Sequence, residues 1–197
     1  MEPERAYPVV YLIPGLGGGP ANWFQAGAHE VADDLILSGQ VPPFLIVSTE
    51  STSSDPQGKI IVTELRPFIE NEYRVLKERP YRAIAGASLG GIGTYRIVLQ
   101  HPDLFATAGL FGSGIVGGEE ALLQSWLEDM LPEEWPRVFF NVGEQDPLML
   151  AQAQDMIAIL DEAGISSTSV FGPGDHSFAY WISNLPAYFK WLAETWQ

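Results

Sequence analysis

Residues 81–99 read YRAIAGASLGGIGTYRIVL, and the fold depends on how this stretch turns. Ala83-Ile84-Ala85 is a short apolar run of strand character, while Ile92, Tyr95, Ile97, Val98 and Leu99 follow a helical pattern. Between them stands Gly86-Ala87-Ser88-Leu89-Gly90, a G-x-S-x-G sequence. A serine on a sharp strand-to-helix turn is held in a strained backbone conformation with its Oγ exposed. The residues two before and two after it must be small, or their side chains would collide across the turn. Gly91 removes one more side chain where the helix lies close to the sheet. Leu89 offers its backbone N–H at the helix start, where donors are unpaired and the dipole favours an anion. A five-residue match alone is weak. The strand before it and the helix after it supply the context that a nucleophile elbow requires.

Strands and helices alternate outward from this turn. Residues 7–13, YPVVYLI, read as a first strand and end in Pro14-Gly15-Leu16-Gly17-Gly18-Gly19-Pro20. Residues 22–38 read as a helix closed by Gly39, residues 44–47 as a second strand, and residues 59–77 as a helix interrupted or restarted at Pro67. After the elbow come strands at 105–111, 137–142 and 166–171, with helices at 119–130, 148–163 and 177–195. This alternation implies an α/β fold with a parallel sheet, helices on both faces and a single domain over residues 1–197.

Composition narrows the function. The chain has 197 residues, 46% hydrophobic and 18% charged, enough for one sizeable core. Ten basic residues against 25 acidic give a net charge of −15. No basic stripe for nucleic acid is visible, and an anionic membrane surface would repel such a chain. The absence of cysteine rules out disulfides, thiolate metal sites and a cysteine nucleophile. No signal peptide or membrane-length apolar run is present, which favours a soluble, cytoplasmic protein.

A serine hydroxyl needs a base. Of the three histidines, His101 ends the elbow helix and His29 lies in a polar part of the first helix. His176, in Gly172-Pro173-Gly174-Asp175-His176-Ser177, follows the last strand, at the sheet edge where α/β sites are built. The base in turn needs a carboxylate to orient it. Asp155 and Asp161 fall within a helix, and Asp175 neighbours His176 in a loop, where adjacent side chains point apart. Asp146 directly follows the fifth strand, with Glu144 as runner-up. Ser88, Asp146, His176 is the Ser…Asp…His order of α/β-hydrolases.

An oxyanion needs two donors. Leu89 N–H is one, and Leu16 N–H, from the glycine-rich loop after the first strand, is the other. A P-loop would need Lys-Ser/Thr after Gly19, and a dinucleotide fingerprint would need a third glycine where Pro20 stands. Phe111-Gly112-Ser113-Gly114 lacks the flanking glycines of a second elbow and reads as a turn. Trp23 and Trp181 follow the catalytic loops closely and are candidates to line a substrate pocket, with core packing as the alternative.

Together these segments resemble the putative-esterase family of α/β-hydrolases. That family includes feruloyl and acetylxylan esterases, S-formylglutathione hydrolase, enterochelin esterases and mycolyltransferases. The resemblance runs through RAYPVVYLIPGLGG, IIVTELRPFIENEYRV, the elbow segment through FGSG, FNVGEQDPL and GDHSFAYWISNLPAYFKWLAE. It implies Ser88, Asp146 and His176 as the triad, and Leu16 and Leu89 as oxyanion donors. Family members often carry His where Pro14 stands, and one or more strands ahead of YPVVYLI.

The expected architecture is a minimal α/β-hydrolase with six parallel strands in the order 2-1-3-4-5-6 and no cap domain. The expected activity is hydrolysis of small-molecule carboxylic esters with short-chain or aryl acyl groups, with neither metal nor organic cofactor implied. An acyltransferase with the same triad, or a non-catalytic binding protein on this fold, are the alternatives. The second strand should form a sheet edge, which a second copy of the chain or a crossing segment would cover.

Overall fold

Val9–Ile13 form β1, five residues with no exposed surface. Val9, Tyr11 and Ile13 enter one hydrophobic cluster while Val10 and Leu12 enter another, the period-two alternation of a strand covered on both faces. Each side chain buried this way contributes about 1.5–3 kcal/mol. The computed structural model describes residues 5–56 and 58–196.

Six parallel strands make one sheet: β1, β2 (Leu45–Ser48), β3 (Arg82–Ala87), β4 (Thr107–Phe111), β5 (Arg137–Gly143) and β6 (Ser167–Gly172). Their spatial order is β2-β1-β3-β4-β5-β6, as the elbow reading requires. β2 and β6 are the edges, and β2 is short, with Pro42 and Pro43 ahead of it. One face carries α3 (Arg66–Glu72), α4 (Leu89–Gln100), α5 (Glu120–Asp129) and α6 (Leu150–Glu162). The other carries α1 (Asn22–Gln25), α2 (Ala28–Leu37) and α7 (Phe178–Ala193). Chain reversal of strand order between β1 and β3 puts Ser88 at a switch point, where α/β ligand sites form.

Two helices differ from the sequence reading. The helix expected over residues 22–38 is broken at Gly27, whose φ of +99° only glycine adopts without strain, giving α1 and α2. The helix expected over residues 59–77 ends at Glu72. Tyr73 is extended (φ −123°, ψ 152°), and Val75 forms a parallel bridge to Tyr7. Its first part is a π turn, Ile61–Leu65, directly ahead of Pro67. Proline has no N–H to donate and crowds the preceding turn, and the wider turn relieves both.

A buried ion triad ties α3 to β3. Glu70 accepts from Arg66 Nη1 and Arg82 Nη1, both at 2.8 Å, and Arg82 is 6% exposed. Trp126 and Trp135, from the segment around α5, pack against the core. No helix among the described residues is long and apolar enough to cross a membrane.

Candidate active site

Ser88 stands between β3 and α4 with φ 53° and ψ −119°, the one positive φ at a non-glycine residue among those described. Such a conformation costs about 1–3 kcal/mol and persists only where its surroundings impose it. Its N–H donates to Phe111 O at 2.8 Å, and its carbonyl receives Gly91 N–H at 2.9 Å. A Cβ on Gly86 would run into the backbone of Gly90, so the two glycines do face each other across the turn. A Cβ on Gly90 would stand 2.5 Å from the carbonyl oxygens of Ile13 and Pro14. The first turn of α4 is therefore pressed against the end of β1, which brings the next loop beside Ser88.

That loop turns at once. Gly18 N–H donates to Gly15 O at 3.0 Å, with Leu16 and Gly17 in between and Gly17 at φ +69°. Gly15 lies so close to the elbow that a Cβ there would be 3.4 Å from Ser88 Cβ. Leu16 is 78% exposed, its side chain turned outward. No acceptor among the described residues meets Leu16 N–H or Leu89 N–H.

On the other side, Asp146 is 2% exposed. Its Oδ1 accepts from Leu148 N–H at 2.9 Å and Met149 N–H at 3.0 Å, and its Oδ2 lies 2.7 Å from His176 Nδ1. An ionised carboxylate only accepts, so the proton between them belongs to Nδ1, leaving Nε2 free for a second partner. Glu144 is exposed and away from this contact. Asp175 accepts from Ser177 Oγ at 2.5 Å, and Ser177 in turn caps α7, so the neighbouring carboxyl does point away from the imidazole. Asp155 and Asp161 are exposed on α6, and His29 is exposed against Phe24.

The two loops are locked to each other. Gln145 N–H donates to Gly174 O at 2.9 Å, and Gly174 N–H to Gln145 Oε1 at 2.6 Å. Sequence reasoning did not single out Gln145, because nothing in its own segment shows that Gly174 lies opposite. Gly112 reads in sequence only as part of a turn, and its neighbours come from elsewhere in the chain. Its N–H donates to Asn141 O at 2.8 Å, and a Cβ on it would lie 2.6 Å from the Trp181 ring.

The two tryptophans proposed as pocket-lining are corrected by their burial. Trp23 is 0% exposed, edge-on to Phe111 and Phe178. Trp181 is 4% exposed and stands edge-on to His176 at 5.0 Å between ring centroids. Both belong to the core cluster on that face of the sheet, the core packing that stood as the alternative. Among the described residues, no group of three or more His, Asp or Glu is placed to hold a metal ion.

The arrangement can do acyl-transfer chemistry: a half-buried, strained serine, an imidazole with one nitrogen fixed by a buried carboxylate, and unpaired backbone donors beside them. Comparison with known proteins agrees. The chain is 27% identical over 193 residues to an endo-1,4-β-xylanase/feruloyl esterase of Xylanibacter ruminicola, with 90% of this chain and 25% of that protein aligned. A Corynebacterium glutamicum protein is 25% identical, over 98% of this chain and 54% of its own length. The chain thus spans about a quarter and about half of these two relatives.

Among solved structures, the feruloyl esterase module from Clostridium thermocellum in complex with sinapinate superposes with a TM-score of 0.84 at 17% identity, over 96% of this chain and 78% of that one. An S-formylglutathione hydrolase from Staphylococcus aureus gives 0.73 at 18% identity, over 96% and 82%. These likenesses establish the α/β-hydrolase fold. The family model described as putative esterase matches residues 50–192, nearly three-quarters of the chain and all three of Ser88, Asp146 and His176, and the chain belongs to that family.

Proposed function

We propose that the protein is a serine carboxylic-ester hydrolase acting on soluble esters with short-chain or aryl acyl groups. His176 Nε2 takes the proton from Ser88 Oγ as the oxygen attacks the ester carbonyl. The resulting oxyanion is met by Leu16 N–H and Leu89 N–H. His176 then gives its proton to the departing alkoxide, an acyl-serine forms, and water activated by the same imidazole releases the acid. Asp146 holds the imidazole with Nε2 toward the serine and stabilises its charged form.

The observation that carries this reading is the buried Asp146–His176 contact at 2.7 Å, on the same sheet edge as a serine strained as an elbow requires. A binding protein places no demand on either feature. The feruloyl esterases among its relatives make feruloyl esters natural first substrates to try. The test is hydrolysis of p-nitrophenyl acetate and methyl ferulate by the intact chain and by Ser88→Ala; activity that survives the substitution refutes the reading. The unpaired β2 edge supports pairing with a second copy, which light scattering reads directly as a doubled mass.

A further inference from the structure

The loop that carries His176 is short and is fixed at both ends. Gly172 ends β6 and Phe178 begins α7, so residues 173–177 span the gap. At the α7 end, Ser177 Oγ accepts from Tyr180 N–H and donates to Asp175 Oδ1 at 2.5 Å. The other fixed point is Gly174, two residues ahead of His176. Its N–H donates to Gln145 Oε1 at 2.6 Å, and its carbonyl accepts from Gln145 N–H at 2.9 Å. A Cβ on Gly174 would run into the ring of Tyr180, whose hydroxyl donates to Val142 O at 3.2 Å. Gly174 is thus held by the acid loop and covered by a ring that is itself tethered to β5.

We propose, on the esterase reading above, that Gln145 is a positioning residue for His176, acting through Gly174 to seat the imidazole against Asp146. Glycine has the most backbone freedom of any residue, and this one stands directly ahead of the segment that must be precise. The N–H of Gly174 belongs to the peptide plane before it and the carbonyl to the plane after it. Gln145 holds both planes, one with its side chain and one with its backbone. Without the side-chain bond, the plane ahead of Gly174 loses its partner and the glycine can turn.

The acid and the clasp are neighbours in sequence. Gln145 grips Gly174, and Asp146 Oδ2 lies 2.7 Å from His176 Nδ1, so two consecutive residues hold the base loop at two points. Asp146 is not free to follow a drifting imidazole, because Leu148 N–H and Met149 N–H hold its other oxygen. Precision here matters to the rate: a misplacement of about 1 Å in such a site costs on the order of 10²-fold. Gln145 is exposed, so replacing it leaves the core untouched.

Three substitutions separate the hydrogen bond from the bulk of the side chain. Gln145→Ala removes the acceptor, Gln145→Met keeps the length without a carbonyl, and Gln145→Glu keeps an acceptor oxygen. With p-nitrophenyl acetate, the Ala and Met variants should lose at least about fivefold in kcat with KM within about twofold, because acylation and deacylation both pass through His176. Gln145→Glu should keep at least about half of the parent kcat. The second readout needs no substrate. The Nδ1 proton between His176 and Asp146 gives a far-downfield proton NMR signal, assigned by its loss in His176→Gln. It should broaden or vanish through exchange with water in the Ala and Met variants and persist in Gln145→Glu. If Met matches the parent while Glu does not, the side chain acts by filling space and the proposal is wrong. It is equally overturned if all three variants keep kcat and the downfield proton, or if kcat falls with that proton intact. Failure of the esterase reading is seen separately, on the unmodified protein: absence of Ser88-dependent acetate hydrolysis removes that reading, while the NMR comparison still reports whether Gln145 seats the imidazole.

Discussion

His176 Nδ1 lies 2.7 Å from Asp146 Oδ2, and the other oxygen of that carboxylate is fixed by two backbone N–H groups at the start of the next helical segment. The imidazole is therefore aimed by a carboxylate that is itself unable to turn. The account predicts that Asp146→Asn costs about 10⁴ in kcat, because the amide presents the wrong hydrogen-bonding partner to Nδ1. Glu144→Gln, at an exposed position, should leave kcat within about twofold. Parallel kinetics on the two variants decide the matter; a larger loss for Glu144→Gln would move the orienting role.

Gly86→Ala should destabilise the fold by about 1–3 kcal/mol or more, since its Cβ would be driven into the backbone of Gly90 rather than into a movable side chain. Urea denaturation reads this as a lowered midpoint with an unchanged slope. A variant as stable as the parent would mean that the turn is looser than described.

Acid should weaken the link between α4 and the start of α5. Burial opposes ionisation of Glu119, but hydrogen bonds from Arg96 and Tyr95 outweigh it and hold the carboxyl below the ordinary glutamate value. Its folded pKa is thus depressed. The stabilisation is fully present above the unfolded value, about 4.3, and is lost as pH falls through the lower folded one. Glu119→Gln should be less stable than the parent at pH 7, with a gap that narrows below about pH 4. Urea midpoints measured across that range check it; a gap constant with pH would show that the charge is not what stabilises.

Residues 115–136 hold one short helix, α5, and a single 3₁₀ turn, with no cap domain. Without a lid, methylenes beyond the pocket stay in water and forgo the usual ~0.8 kcal/mol each. Across p-nitrophenyl acetate, butyrate, octanoate and palmitate, kcat/KM should peak at acetate or butyrate, with no jump above the critical micelle concentration. A peak at palmitate would reveal a long-chain site.

Strand order, the elbow and the Asp146–His176 pairing were legible in the sequence because each rests on local chemistry. Glycines mark the tight turn, apolar runs mark buried strands, and a polar loop after each strand marks the reactive edge. What was not legible depends on what lies across the gap. Trp23 and Trp181 read as pocket candidates because they follow catalytic loops; the burial of Trp23 is decided by Phe111 and Phe178 and that of Trp181 by Gly112, which come from other elements. Gln145 gives no sign in its own segment that Gly174 will be its partner.

The most direct test of the central claim is active-site labelling with a fluorophosphonate followed by peptide mass spectrometry. The account predicts stoichiometric label on one residue, Ser88, no label in Ser88→Ala, and loss of ester hydrolysis by roughly 10⁴–10⁶ in that variant with its fold intact. Label on Ser113 or any other serine, or hydrolysis that persists without Ser88, would contradict it.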